Sequence, residues 1–273
     1  SVIGIELLDY DFMRRALVAA VLVGSSAPAA GIFLVQRRLP LIGDGLGHVA
    51  VTGVALGLVL NRAPVLVALV AAIAGAVAIE LIRARREALA EVALAILFYG
   101  GIAGGVVLAS RAPSGGRNLT QYLFGTITTT SVSDLAVFAV LAAVVLSATT
   151  VFSPALFAVS NDEEFARAGG LPVMRLNLVL ATLTALTVVI SMRVVGVLLI
   201  SALMVVPVAA AQLVTRSFRA TYVLGVIVGA LVAVAGVIVS YYADTPSGGT
   251  IVLLAIAVFA TTLLLRTLGP RTR

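Results

Sequence analysis

The chain has 273 residues, 61% of them hydrophobic and 11% charged, with a mean hydropathy of +1.18 and a formal charge of +6. Soluble domains carry about 25% charged and about 45–50% apolar residues, so this composition excludes a soluble globular protein. At roughly 20 residues per crossing it leaves room for eight to ten membrane helices, and residues 1–273 read as a single all-α polytopic domain.

The composition also excludes chemistry. All 18 basic residues are arginine; without lysine there is no Walker A loop and no Schiff base. Without cysteine there is no disulfide framework, thiolate metal site or redox pair. A single histidine, His48, rules out the His-x-x-x-His zinc enzymes. The arginines are dispersed between apolar runs, so the positive charge points to membrane topology and not to nucleic acid.

In chain order, the apolar runs predict nine helices, over about 16–36, 41–61, 63–82, 88–110, 135–159, 173–192, 194–215, 220–243 and 249–265. Eight is the alternative, because between Arg175 and Arg216 only Arg193 interrupts the run. Residues 1–12 carry Glu6, Asp9 and Asp11 without a basic region, unlike a signal peptide. They read equally as an acidic outer end that attracts cations and as a solvated terminus. Twelve arginines fall in loops after odd-numbered spans and six on the opposite side. The positive-inside rule then predicts an outer N-terminus and a cytoplasmic C-terminus. Small residues four apart (Gly53/Gly57, Gly100/Gly104, Gly101/Gly105, Gly225/Gly229) predict close helix packing. Pro207 predicts a kink or break in the seventh span.

Two constellations stand out. Residues 160–172 form the longest polar interruption on the arginine-rich side. Ser160 with Glu163 reads as a capping box, Asp162, Glu163 and Glu164 supply first-turn acids, and Gly169 or Gly170 a left-handed C-cap before Pro172. The outcome is a helix of about two turns outside the membrane, either an interfacial connector or a docking element carrying Phe165 and Arg167. The second is Asp44 and His48, four residues apart on one helical face. His48 lies about ten residues into its span, or about 15 Å deep. An intramembrane carboxylate costs about 2.5–3.5 kcal/mol, and imidazole with carboxylate is a partial ligand set for a divalent first-row metal. An Asp–His hydrogen bond or a carboxylate reaching the interface is the structural alternative. Ser133 and Asp134 read as a helix cap, Glu91, four residues after Glu87, as an interfacial acid or a group that orients metal ligands, and Asp244, Pro246 and Gly248 as an outer turn or a protein contact.

Five stretches together resemble the membrane-spanning permease subunits of ABC importers for zinc and manganese, most closely the zinc branch. They are residues 31–38 leading into 41–44 and His48; Tyr122-Leu123-Phe124-Gly125; Phe165 to Pro172; Val195 to Pro207; and Asp244-Thr245-Pro246-Ser247-Gly248. They occur in the family's order over nearly the whole chain. The resemblance implies a non-catalytic permease in a bacterial-type cell membrane and a homodimer of this chain. It implies two cytoplasmic ATPase subunits that bind ATP, and an extracytoplasmic metal-binding protein that delivers cargo. No permanently bound cofactor is implied. Asp44 and His48 would match the family's Asp-x-x-x-His on the metal path, and 160–172 would be the coupling helix. Gly43, Gly45 and Gly47 depart from the pattern. A proton-coupled carrier using the Asp–His pair as a relay, or an ABC importer of a bulkier chelate, are the competing readings. A membrane enzyme finds no acid, base and nucleophile cluster. Residue types alone do not choose between zinc, manganese and iron.

Overall fold

The computed structural model describes residues 9–39, 41–86, 89–112, 117–126, 130–197 and 199–268. Glu6, Glu87, Arg271 and Arg273 lie outside them. Among the described residues the regular structure is all helical. The elements are α1 (Asp11–Gln36), α2 (Ile42–Val59), α3 (Pro64–Arg85), α4 (Ala90–Ala109), α5 (Arg117–Phe124), α6 (Val132–Val151), α7 (Ser153–Asn161), α8 (Glu163–Ala168), α9 (Val173–Ser191), α10 (Ile200–Val214), α11 (Phe218–Ala243) and α12 (Ser247–Leu268).

Eight of these are long and apolar enough to cross a membrane: α1 to α4, α6, α9, α11 and α12. The fifteen-residue α10 is shorter, and rises about 22 Å against a hydrocarbon core of about 30 Å. The nine predicted spans thus appear as eight full helices and one short one. The predicted 135–159 run divides into α6 and α7 at Phe152, just ahead of Pro154 at the start of α7. Pro207 sits inside a continuous α10. The break falls before that helix, at residues 192–197, where Gly196 has φ +83°.

Alpha1 and α9 are the most enclosed helices, whereas α4 and α12 turn most of their surface outward. With lipid as apolar as leucine, the helices are held by close packing, and glycine supplies it. Gly24 of α1 faces the Gly229 carbonyl of α11, and a Cβ on Gly229 would fall on the Gly24 carbonyl oxygen and the Pro28 ring. Gly53 and Gly57 admit Ala68 and Pro64 of α3. Gly100 faces open space.

Ion pairs and turns sort the helix termini into two ends. Gln36, Arg37, Arg83, α7, α8 and the start of α9 meet at one end. Asp134, Arg193 and Thr126 meet at the other. Alpha6 starts with a capping box of Ser131 and Asp134, not the expected Ser133.

Gly229→Ala should lower the stability of the purified protein by about 2 kcal/mol, because overpacking outweighs the gain in helix propensity. Gly100→Ala should be neutral or mildly stabilising. Thermal unfolding of both variants in one detergent measures the contrast.

Candidate metal path and coupling site

Asp44 lies in the first turn of α2, and His48 follows one turn later, about 9 Å from Ile42 along the axis. Both side chains are half-buried. The His48 ring meets Phe98 of α4 edge-on, with centroids 4.2 Å apart. Three glycines let α4 come this close: a Cβ on Gly101 would lie 2.5 Å from the His48 carbonyl carbon, and Gly104 and Gly105 rest on Thr52 and Val51. Thr52 Oγ1 donates to the Gly101 carbonyl at 2.6 Å. On its other side α2 packs Gly43 against Ser201 and Met204, and Gly47 against the Val197 carbonyl. The glycines around the Asp–His pair therefore leave α2 helical: Gly47 admits neighbouring backbone, and Gly43 and Gly45 admit the side chains of Ser201, Met204 and Leu94. Among the described residues no third histidine or carboxylate joins the pair in a metal-sized cluster.

The non-helical 192–197 segment lies directly beside this helix, with the Val197 carbonyl against Gly47. Val197 N–H donates to the Tyr122 carbonyl at 2.9 Å, Thr126 N–H to the Arg193 carbonyl at 2.8 Å, and Ser247 Oγ to the Val194 carbonyl at 2.6 Å. Gly125 (φ +73°) and Gly196 (φ +83°) lie in the tightest crossing: a Cβ on Gly125 would meet the Val194 and Val195 backbone, and one on Gly196 the backbone of Leu123, Phe124 and Gly125. Arg193 forms an ion pair with Asp134 at 3.4 Å and stacks over the Tyr122 ring at 4.7 Å. Gly248 is buried here: a Cβ would land on the Val195 carbonyl oxygen. That takes it out of the outer surface the sequence suggested. Asp244 (φ +50°) and Pro246 are exposed there.

At the opposite end, α8 caps with Asp162, whose Oδ1 accepts the Phe165 N–H at 2.9 Å. The expected Ser160–Glu163 box does not form, because Ser160 is buried in the last turn of α7 and Glu163 turns inward. The left-handed C-cap is Gly170 (φ +81°), with Leu171 N–H bonding back to the Ala166 carbonyl. Glu164, Phe165, Arg167, Gly169 and Gly170 are exposed, Phe165 to 74%. Glu163 Oε1 accepts Arg83 Nη2 at 2.6 Å, Arg37 Nη2 at 3.1 Å and Asn177 Nδ2 at 3.2 Å. Glu80 completes the group: its Oε1 takes Arg83 Nη2 at 2.7 Å and lies 3.5 Å from Arg37 Nη2. Burial pushes the Glu163 carboxyl up, but hydrogen bonds and charges from Arg83 and Arg37, with the Asn177 amide, outweigh it and hold the group below its ordinary value. These contacts add stability above the unfolded carboxylate's pKa and lose it as pH falls through the depressed folded value. A cavity of about 610 Å³ opens beside the cluster, with Arg85, Glu91 and Arg167 on its walls.

The ABC 3 transport family matches residues 9–266. The chain belongs to that family. Among its relatives, the manganese transport system membrane protein MntC of Halalkalibacterium halodurans is 31% identical, over 93% of this chain and 87% of that protein. The high-affinity zinc uptake system membrane protein ZnuB of Haemophilus influenzae is 27% identical, over 94% and 98%. A solved structure, PsaBC from Streptococcus pneumoniae in complex with Fab, superposes with a TM-score of 0.85 at 30% identity, covering 94% of this chain and 92% of that one. The resemblance read from the sequence therefore holds at family level, in an all-helical ABC permease.

In this member of the ABC 3 transport family, sequence reasoning missed Glu80 and Phe98. Glu80 is the sole acid in α3 and stands three residues before Arg83, a spacing that pairs side chains on one helix face. Phe98 carried no signal in an apolar run.

Glu80 is 1% exposed, and removing one partner from a buried pair costs roughly 3–5 kcal/mol. Glu80→Gln should therefore destabilise the protein by about 3 kcal/mol. Exposed Glu164→Gln should stay within about 0.5 kcal/mol. Thermal unfolding in detergent, run side by side, reads the difference.

Proposed function

We infer that this chain is the permease subunit of an ATP-driven importer of divalent transition-metal ions, zinc or manganese, and that Asp44 and His48 contact the ion in transit. The observation that carries the reading is the half-buried Asp–His pair on one face of α2, one turn apart inside a membrane helix of an ABC permease. A charged carboxylate at that depth is costly without a cationic partner, and borderline nitrogen and hard oxygen donors suit both metals. The pair is half a coordination shell, so water or a second copy of this chain supplies the rest. The names of the relatives include manganese and zinc, which keeps both cargoes in the proposal.

ATP hydrolysis belongs to separate cytoplasmic subunits, two per homodimer of this chain, engaged through α8. Exposed Phe165 beside acidic Glu164 gives an apolar tip with a charged rim for that contact. The α8 end carries Arg37, Arg83, Arg167, Arg175 and Arg216, and the positive-inside rule assigns such an end to the cytoplasm. The N-terminus is then outside, the C-terminus inside, and exposed Asp244 and Pro246 face the extracytoplasmic protein that delivers the metal.

Asp44→Asn and His48→Ala should assemble with the ATPase yet lose at least tenfold in uptake of radioactive zinc or manganese into vesicles loaded with ATP. Normal uptake by a folded His48→Ala complex would remove the pair from the path. Uptake driven by a proton gradient without nucleotide would favour a secondary carrier.

A further inference from the structure

We propose that Glu163, docked into Arg37, Glu80 and Arg83, is the rigid link that carries movement of α8 to α2 and its Asp44–His48 pair. The proposal rests on the coupling role given to α8 above and adds the route by which it acts.

The geometry separates two faces of α8. Phe165 and Glu164 point away from the bundle, while Glu163 and Ala166 face it, Ala166 at 2% exposure. One carboxylate oxygen of Glu163 receives donors from the end of α1, from α3 and from α9. A second tie runs alongside, with Gln36 Nε2 donating to Asn161 Oδ1 at 3.1 Å. So short a helix could have been anchored by apolar contact alone, which holds a buried site as well as or better than charges. Guanidinium donors add what apolar contact lacks, a fixed direction: Arg83 forks onto Glu80 through Nε and Nη2, and Nη2 of Arg83 and of Arg37 reach Glu163.

From Arg37 the path to α2 is short and carries hydrogen bonds on both sides. Arg38 takes the left-handed conformation (φ +59°), and Leu39 N–H bonds to the Leu34 carbonyl while Arg38 N–H bonds to that of Val35. That is a Schellman closure of α1. Ile42 N–H then bonds to the Leu39 carbonyl and Gly45 N–H to that of Leu41, so hydrogen bonds tie the end of α1 to the head of α2. Asp44 stands seven positions after Arg37. A displacement of α8 is passed to the head of α2, where Gly43 rests on Ser201 and Met204 of α10 and Gly47 on the Val197 carbonyl. Glu163, Arg37, Glu80 and Arg83 are positioning residues and touch no cargo.

The test is metal imported per ATP hydrolysed, measured in vesicles holding this chain with its ATPase subunits, using radioactive zinc and manganese. Glu163→Gln and Arg37→Gln should lower that ratio at least tenfold in complexes that remain assembled, and Glu163→Asp should recover much of it. A merely structural role predicts that hydrolysis and uptake fall together with the amount of complex, leaving the ratio unchanged, and that result overturns the link. This chain has no cysteine, so Gln36→Cys with Asn161→Cys introduces its sole thiol pair. Bridging them with a short bis-thiosulfonate in the Glu163→Gln background should restore the ratio. Loss of uptake when the same bridge is placed in the otherwise unaltered chain would mean that α8 must part from α1, and would also overturn the link. Absence of ATP-coupled uptake in the parent complex overturns the proposed function and the link together. An unchanged ratio in the variants overturns the link alone.

Discussion

Backbone N–H and C=O groups inside a bilayer have no water to bond, and each must find a partner within the protein. Eight helices meet this requirement by themselves. The 192–197 segment does not: some of its amides bond back to the Val189 and Ser191 carbonyls of α9, and its other partners come from elsewhere, the Tyr122 carbonyl, the Thr126 amide and the Ser247 hydroxyl. Alpha5 and the start of α12 supply those groups, and Gly47 of α2 leaves room for the Val197 carbonyl. Asp44 and His48 stand on the helix that packs against that segment, with Gly47, between them in sequence, against the Val197 carbonyl.

The opposite end is ordered by charge. Two guanidinium groups and two carboxylates meet with little access to water, and their charges balance. Such a group gains its value from geometry more than from net energy, since desolvation offsets much of the attraction. Alpha8 thus belongs to the membrane bundle on one face and presents an unpaired aromatic on the other.

Much of this was legible beforehand. Span number, the short α8 with its Gly170 stop and the Asp44–His48 spacing follow from hydropathy, capping chemistry and the helical period. Three features were not. Pro207 looked like the break, but a proline within a helix can be accommodated by neighbours in a membrane protein, whereas Gly196 takes a positive φ that interrupts it. Glu163 looked like the partner of Ser160 in a local cap, because local patterns cannot reveal three donors waiting on other helices. Gly248 looked like part of an exposed turn. Only the folded chain brings the Val195 carbonyl onto it.

The crowding around residues 194–197 has a consequence for how such a sequence can change. Gly47 on α2, Gly125 after α5, Gly196 in the segment and Gly248 on α12 each leave room for a neighbouring carbonyl. Enlarging any one of them displaces backbone that the other elements hold in place, and no single compensating change is available. These distant stretches of chain are therefore constrained to vary as one block, although 201 positions separate the first glycine from the last.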